Sequence, residues 1–377
     1  MQHLSFVRGR LYLMMTNLSH SNLLRLDCAE DGYSECYIAF WMWRILPPMF
    51  IVLGTIGNAL NFVVLLSKNL RRRPTSVYLM LLAGSDMISL WTGMLHETLY
   101  SVFGISMVEL TASFCSSLEW FIYTTGIFSV WLLALVTIER AISTKAPYIA
   151  HEYFTSKKAL VVSSILLSIV AGLCSHLIYG NHFKRPSLHT GGNQTETTLR
   201  MCVHVSVSYT VFYNTTWATI LSTAGTVLPT SIIIIGNLVI AVALRNRKVA
   251  PIPVTRVQRS LQKQTKMLVV VTVAILISTF SFSIYKLLID YTAKSNSRNL
   301  ARFQLYTVCT YSIVWLNFSC NFILYCTTGV LFRRECRKVL RTLARKVCRG
   351  RLVCTSEDVN TMDVTVPTVS NVSTKKL

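Results

Sequence analysis

The sequence predicts an all-α membrane protein, a bundle of seven transmembrane helices, and two observations lead to that prediction. Hydrophobic residues make up 52% of the 377 residues and charged residues only 14%, whereas a soluble domain carries about 25% charged residues. Seven nearly charge-free stretches, each about 20 residues or longer, also follow one another along the chain, and a helix of that length crosses a bilayer. One such stretch could be a buried core helix, but seven in series favour a membrane bundle.

The individual spans are predicted from the positions of the charged residues. Only Asp86 interrupts the second stretch, and the fifth becomes strongly apolar only in its later part. In chain order, the seven spans are expected within residues 45–67, 74–96, 120–138, 159–183, 212–244, 267–285 and 303–332. No connecting segment is long enough to form a further domain.

The basic residues predict the orientation of the bundle. Lys and Arg outnumber Asp and Glu by 37 to 16. When successive loops are assigned to alternate sides, 26 of the basic residues fall on one side and 11 on the other. The side richer in Lys and Arg is cytoplasmic, so the N-terminus is expected outside and the C-terminus inside. This distribution argues against a nucleic-acid-binding surface.

The same assignment predicts four regions. Residues 1–43 are expected to form an extracellular segment and residues 44–328 the bundle. Residues 329–347 carry apolar and basic side chains at helical spacing, which is typical of an amphipathic helix on an anionic inner leaflet. Residues 348–377 are expected to form a flexible cytoplasmic tail. Two cysteines near the start of this tail are candidates for palmitoylation, namely Cys348 and Cys354.

Cysteines and glycan acceptor patterns agree with this orientation. Three Asn-x-Ser/Thr patterns lie on the expected outer side, at Asn17, Asn193 and Asn214. Cys115 and Cys202 lie on the same oxidising side and can pair, and Cys28 and Cys36 are a second candidate pair. The cysteines inside the spans are interpreted as packing residues. Cysteines and histidines show no metal-ligand spacing.

Polar residues inside the spans are the first candidate site. A charged or amide side chain in a membrane is costly and by default indicates function. Asp86 lies deep in the second span, and four other polar residues lie at comparable depth: Asn58, Ser129, Asn317 and Asn321. They are either an oxygen-lined pocket that suits a hard cation such as Na⁺, or hydrogen-bonding residues that hold the helices together.

Glu139 and Arg140 are the second candidate site, at the expected cytoplasmic end of the third span. An ion pair there would hold the guanidinium, and breaking it would free five N–H donors for a partner. Alternatively, both side chains simply reach water at the interface. Pro229 lacks a backbone donor and is expected to kink the fifth span.

Together, these residues resemble those of a rhodopsin-like G-protein-coupled receptor over about residues 45–345. The resemblance depends on spaced motifs: Gly57-Asn58, Leu82 to Asp86, Glu139-Arg140-Ala141, Pro229, Asn321 to Tyr325, and Phe332. It implies an allosteric sodium site at Asp86, Ser129, Asn317 and Asn321, and no other cofactor. It also implies a Cys115–Cys202 disulfide and an activation switch that contains Arg140 and Tyr325.

The sequence departs from the family pattern at several positions. Ala141 replaces an aromatic residue, and Phe322 replaces the proline of the seventh span. In the sixth span, Thr279 and Ser281 stand where a tryptophan and a proline are usual. Without that proline, the sixth span is expected to be straighter. Leu261 stands where some members of the family carry an acidic partner for this arginine, so Arg140 is expected to pair only with Glu139.

The ligand class is predicted partly by exclusion. Ile122 stands where amine receptors of this family carry an aspartate, and Trp315 where opsins carry the retinal lysine. The segments around Trp91 and Phe103 resemble invertebrate neuropeptide receptors. A wide, mixed polar and aromatic mouth suits a peptide, and its candidate residues are Glu97, Glu119, Trp120, Tyr123, Lys286, Asp290 and Tyr311.

The resemblance implies a plasma-membrane receptor that binds a neuropeptide and activates heterotrimeric G proteins. Serines and threonines of the tail would serve a receptor kinase and arrestin. The sequence contains none of the catalytic motifs of common enzyme classes, so an enzyme is not expected. Two alternatives stay open: a seven-span receptor with little signalling of its own, such as a scavenger or dimer partner, and an ion channel or transporter that uses Asp86.

Overall fold

The computed structural model describes residues 33–184, 201–249, 297–328 and 330–349, together with Val273 and Ile277. Five helices within these residues are long and apolar enough to cross a membrane. They are span one, Ser34–Leu65; span two, Pro74–Phe103; span three, Ala112–Lys145; span four, Ser156–Gly180; and span five, Val207–Ala243. Span seven is a bent pair of helices, Ser297–Ser319 and Asn321–Thr328. The predicted sixth span lies outside the described residues except for Val273 and Ile277, which are helical.

Span one begins at Ser34, well before the predicted boundary at Arg44. Arg44 lies inside the helix and does not end it, because its charge is satisfied there. Its Nε donates a hydrogen bond to the carbonyl oxygen of Ser101 at 2.9 Å, and its guanidinium lies 3.7 Å from the centre of the Phe40 ring. The predicted extracellular segment 1–43 therefore overlaps the first helix.

Span three lies at the centre of the bundle. The Thr111 side chain caps its start by accepting a hydrogen bond from the Phe114 N–H, as a threonine at this position commonly does. The helix packs mainly against spans two and five, and against span four. Side chains from these helices form the largest hydrophobic cluster, which includes Tyr78, Leu82, Phe128, Leu132, Ile233 and Ile240.

Spans two and five are interrupted by π-helical turns. Span two has one at Leu90–Met94, and span five has two, at Tyr213–Trp217 and Thr223–Val227. The second turn of span five ends just before Pro229, which cannot donate a hydrogen bond to the carbonyl four residues earlier. A π turn, which inserts an extra residue into the helix, therefore directly precedes the proline at which a kink is predicted.

A β-hairpin follows span four, an element that the all-α prediction did not include. Strands β1, Asn181–Lys184, and β2, Met201–His204, pair antiparallel, and strands this short leave little periodicity in a sequence. Cys202 in β2 forms a disulfide with Cys115 at the start of span three, with 5.5 Å between the Cα atoms. This pair confirms the disulfide prediction. Cys36 is also disulfide-bonded, and its predicted partner, Cys28, lies outside the described residues.

Span seven bends by 55° between its two helices, at Cys320. The chain then turns into a terminal helix, Val330–Arg349, close to the predicted 329–347. Phe332 and Cys336 of this helix pack into one cluster with Val64 and Leu65 of span one and with Tyr325. We call this end of the bundle the Arg140 end, and the opposite end the hairpin end.

Candidate functional site

Asp86 is the centre of a buried polar group between spans two, three and seven. Only 1% of Asp86 is exposed to solvent. Ser129 Oγ donates a hydrogen bond to its Oδ1 at 2.8 Å, and Asn321 Nδ2 donates one to its Oδ2 at 2.6 Å. Three of the five predicted network residues therefore meet. A carboxylate beside a hydroxyl and an amide is a donor set that fits a small hard cation such as Na⁺.

Asn58 lies apart from this group and forms a hydrogen bond between spans one and seven, which is the second of the two roles predicted for it. Its Nδ2 donates a hydrogen bond to the carbonyl oxygen of Phe318 at 2.8 Å. In a continuous helix that carbonyl would accept a hydrogen bond from the N–H of Phe322. At the bend, the amide of Asn58 supplies a donor for this carbonyl oxygen instead. Span one can approach because Gly57 has no side chain, and a Cβ there would lie 3.2 Å from the Cβ of Phe322. The bend therefore forms without the proline of the family pattern.

Two further residues complete the description of this region. Asn317 lies half-buried in span seven, one turn before Asn321. Asn61, which sequence reasoning missed, is fully buried, and neither of its amide atoms has a hydrogen-bond partner among the described residues. Its position could have been inferred, because it follows Asn58 by three residues and therefore lies on the same face of span one.

Glu139 and Arg140 do not form the predicted ion pair. No ion pair between described residues joins them, because consecutive residues of a helix point in different directions. Thr75 of span two connects them instead. Its hydroxyl donates a hydrogen bond to the Glu139 carboxylate at 2.7 Å and accepts one from Arg140 Nη2 at 2.9 Å. Thr75 and Glu139 are buried, so the guanidinium is held through a hydroxyl that sequence reasoning missed.

Tyr325, the other predicted switch residue, is not joined to this group. Its side chain is buried against span one and the terminal helix, and its ring lies 5.7 Å from that of Phe332. The Tyr325 hydroxyl has no hydrogen-bond partner in the part of the chain that the structure describes. The two components of the predicted switch are therefore separate in this conformation.

Glu335 fastens the terminal helix to the turn between spans one and two. Its Oε1 accepts hydrogen bonds from Lys338 Nζ at 3.0 Å and from Asn69 Nδ2 at 3.1 Å. These two donors, in that order, lower the pKa of the Glu335 carboxyl below its usual value. The carboxylate therefore stays ionised at neutral pH and keeps the terminal helix against the Arg140 end.

At the hairpin end, a partly buried chain of hydrogen bonds joins spans three and five to the hairpin. Tyr123 and Tyr213 share a hydrogen bond of 3.0 Å, and Tyr213 donates to Glu119 Oε1 at 3.1 Å. The other carboxylate oxygen of Glu119 accepts from Asn181 Nδ2 at 2.9 Å. We call Glu119, Tyr123, Asn181 and Tyr213 the outer network. Two predicted ligand residues, Glu119 and Tyr123, belong to it.

Aromatic side chains surround the outer network. His176 Nδ1 lies 2.9 Å from the Tyr209 hydroxyl, and the His176 ring lies 4.4 Å from that of Trp217. Gly180 leaves the room for Tyr209, since a Cβ there would overlap the phenol ring. Sequence reasoning missed the aromatic residues at 209, 213 and 217, although their spacing of four places them on one face of span five. Burial lowers the pKa of His204 in β2, so its imidazole is neutral near pH 7.

The remaining predicted residues are scattered. Trp120 Nε1 donates to the carbonyl oxygen of Ala171 in span four, Tyr311 lies against Trp43 of span one, and Glu97 is half-buried in span two. Asn214, a predicted glycosylation site, is exposed in the first π turn of span five. Cys348 is the penultimate residue of the terminal helix. Five predicted residues lie outside the described ranges: Lys286, Asp290, Asn17, Asn193 and Cys354.

Comparison with known proteins decides the family. A family model described as "7 transmembrane receptor (rhodopsin family)" matches residues 57–332. The chain belongs to this receptor family. The resemblance inferred from the spaced motifs is thereby confirmed, together with the seven-helix fold class, and this rhodopsin-family receptor is not an enzyme.

The receptor is similar to proteins from several animals. It is 28% identical to human C-C chemokine receptor type 1 over 42% of this chain and 42% of that protein. It is 33% identical to mouse neuromedin-U receptor 1 over 28% of this chain and 25% of that protein. These two alignments therefore span less than half of each relative. A putative G-protein coupled receptor of Caenorhabditis elegans is 23% identical over 83% of this chain and 76% of the relative.

Proposed function

We propose that this receptor binds an extracellular peptide at the hairpin end and activates a heterotrimeric G protein at the Arg140 end. The observation that carries the proposal is the position of three residues along span three. Glu119 belongs to the outer network, Ser129 contacts Asp86, and Arg140 is held by Thr75. A shift of this one helix would therefore change all three polar groups together, which is what coupling between two sites requires.

Contacts at the hairpin end support a peptide as the ligand. The hairpin is fixed to span three by the Cys115–Cys202 disulfide, and Asn181 at its start contacts Glu119. A ligand that contacts the hairpin would therefore act directly on spans three and five. Tyr and Trp side chains combine apolar area with hydrogen-bonding groups, which suits a peptide. The names of the two vertebrate relatives, receptors for a chemokine and for neuromedin U, agree with a polypeptide ligand.

Exposed residues at the Arg140 end support a binding surface for the G protein. A short helix, Pro147–Tyr153, follows span three directly. Tyr148 on this helix is 82% exposed, and Ile149 and Tyr153 are also exposed. Exposed apolar side chains rimmed by polar residues are typical of a protein-binding surface. This surface adjoins Arg140, whose donors would become available once the Thr75 contact is broken.

The proposal extends to topology and regulation. We place the N-terminus outside and the C-terminus in the cytoplasm of a plasma-membrane receptor, because Lys and Arg concentrate at the Arg140 end. Na⁺ at Asp86 would stabilise the conformation described here. Serines and threonines of residues 351–377 would be substrates of a receptor kinase and would dock arrestin, and the basic terminal helix would bind anionic lipid.

The test is a peptide-library screen in cells that carry reporters for several G-protein classes. Wild-type receptor should respond to at least one peptide, and Arg140→Ala should abolish that response at equal surface expression. Arg72→Ala is the matched control, because Arg72 is exposed at the same end of the bundle and should leave the response intact. Silence of the surface-expressed wild type towards every peptide would contradict the proposal.

A second candidate, a receptor that binds its ligand but signals little, is favoured by Thr279 and Ser281 of the sixth span, where the family carries a tryptophan and a proline. The same screen separates the two functions. Specific binding of a labelled peptide to the cell surface, without any reporter response, would support the second candidate.

A further inference from the structure

Two histidines lie where the hairpin packs against spans four and five. His204 of β2 is buried, with 8% of its surface exposed, and its Nδ1 lies 3.0 Å from Thr210 Oγ1 at the start of span five. His176, near the end of span four, has its Nδ1 2.9 Å from the Tyr209 hydroxyl. Neither Nε2 atom has a hydrogen-bond partner among the described residues, and both are shielded from solvent. Each imidazole therefore has one nitrogen in a hydrogen bond and one without a partner.

The unpartnered nitrogens make this packing sensitive to protons. A neutral imidazole carries a hydrogen on one nitrogen, whereas the imidazolium carries a hydrogen on both. Protonation therefore gives each ring an Nε2–H without an acceptor, whichever tautomer the neutral ring adopts. It also adds a positive charge, and no ion pair between described residues includes a histidine. Because a buried charge without a partner is strongly unfavourable, the packed hairpin binds protons less readily than a hairpin exposed to water.

Aromatic rings surround both histidines. The His204 ring lies 4.9 Å from that of Tyr213 and 5.3 Å from that of Tyr209. The His176 ring lies 4.4 Å from that of Trp217. Aromatic faces attract cations, yet burial still lowers the pKa of His204 below its ordinary value of about 6.5. The neutral ring therefore stabilises the packing above about pH 6.5, and this stabilisation is lost as the pH falls through the lowered pKa.

Two carboxylates near the hairpin could also take up protons. The Glu119 carboxylate accepts a hydrogen bond of 3.1 Å from Tyr213, whose ring lies beside His204. Glu109 lies in a turn that packs against β2, and burial raises the pKa of its carboxyl. Variants of Glu109 and of the histidines therefore separate the two sources of pH dependence. The ionisable residues on the elements packed around the two histidines are His182 and Lys184 of β1, Glu109, Glu119 and Tyr123 of span three, Cys174 of span four, and Tyr209 and Tyr213 of span five.

We propose that the hairpin end is a proton sensor, in which protonation of His204 and His176 releases β2 from the start of span five. At acidic pH each ring takes one proton from solvent, turns towards water and loses its contacts with span five. The Cys115–Cys202 disulfide keeps β2 attached to span three, so the hairpin loosens locally while the bundle stays folded. This property is independent of the proposed signalling function, because it depends only on how the hairpin packs.

The experiment is hydrogen–deuterium exchange of purified full-length receptor in lipid nanodiscs, with labelling times scaled for the intrinsic pH dependence of exchange. Peptides that cover residues 201–212 should exchange faster at about pH 5.5 than at about pH 7.5, by up to about tenfold for each histidine, since the lower pH lies about one unit below the ordinary pKa. His204→Phe keeps an aromatic ring that cannot be protonated and should lose most of this increase. The double variant with His176→Phe should lose all of it.

The matched control is His182→Phe, because His182 is exposed in β1 of the same hairpin and its replacement should leave the increase intact. Glu109→Gln should also keep the increase. The proposal is overturned if the wild type exchanges equally at both pH values, if the increase persists in the double variant, or if Glu109→Gln abolishes it. Should a phenylalanine variant fail to fold, the wild type and Glu109→Gln decide the question, and an increase in both that spares residues 330–349 supports the proposal.

Discussion

At the scale of single residues, several polar contacts of this receptor are made by side chains that belong to no recognisable motif but contact residues predicted from one. Thr75 holds both Glu139 and Arg140, and Tyr213 holds both Glu119 and Tyr123. Neither residue stands out in a sequence, because a threonine or tyrosine near a span end is common. Asp86, by contrast, was predictable, since a carboxylate inside a membrane span is rare and costly.

Replacing Thr75 tests the hydroxyl bridge. Thr75→Val keeps the shape of the side chain but removes both hydrogen bonds, each to a charged group, and such bonds contribute about 1.5–3 kcal/mol. We expect a lower thermal midpoint of the purified receptor and, because Arg140 is released, a higher basal G-protein signal. Thr75→Ser keeps the hydroxyl and should match the wild type in both measurements. Equal behaviour of the valine and serine variants would contradict the bridge.

Replacing Asp86 tests the proposed sodium site. Wild-type receptor should unfold at a higher temperature in sodium chloride than in choline chloride of equal ionic strength. A bound ion stabilises by about 1 kcal/mol when its concentration is about fivefold above its Kd. Asp86→Asn removes the charge that a hard cation requires and should abolish the difference between the two salts. A sodium-dependent shift that persists in Asp86→Asn would show that the ion binds elsewhere.

At the scale of helices, their shapes depend on neighbours as much as on their own sequence. Span one continues through Arg44 because Ser101 of span two accepts its hydrogen bond. Span two has a π turn at Leu90–Met94, and the ring of Trp315 packs against its Gly93. Neither contact can be inferred from the periodicity of one segment, which reports only which face of a helix is apolar.

Two glycines of span two provide a matched test of this packing. A Cβ at Gly93 would overlap the Trp315 ring, whereas a Cβ at Gly84 would have no atom within 4 Å. Gly93→Ala should therefore destabilise the receptor by about 1–3 kcal/mol through overpacking. Gly84→Ala should be neutral or stabilising by about 0.5–1 kcal/mol, because alanine favours the helix. Thermal unfolding in one detergent compares the two, and a Gly93→Ala midpoint equal to that of Gly84→Ala would contradict this close packing of Gly93 against Trp315.

At the scale of the whole molecule, the distribution of charge predicted most of the fold. The spacing of Lys and Arg located five of the spans and the two halves of span seven, because charges are excluded from hydrocarbon wherever they lack partners. Exact boundaries, the hairpin and the π turns were not predictable, since they depend on tertiary contacts. For the candidate sites, the Asp86 group and the Cys115–Cys202 disulfide were foreseen, but the outer network and Thr75 required the structure.

Epitope tags test the proposed orientation. A tag fused to the N-terminus should bind antibody on intact cells, and a tag fused to the C-terminus should bind only after the membrane is permeabilised. This outcome follows from the excess of Lys and Arg at the Arg140 end. A C-terminal tag that is recognised on intact cells would reverse the orientation and with it the assignment of both binding surfaces.

The bend in span seven has a consequence for how this receptor's sequence can change over time. The partner for the freed carbonyl of Phe318 is supplied by Asn58, and the space for the bend is left by Gly57. The bend of span seven therefore depends on residues of span one, more than 250 residues away in the chain. The bend therefore does not require a proline at position 322.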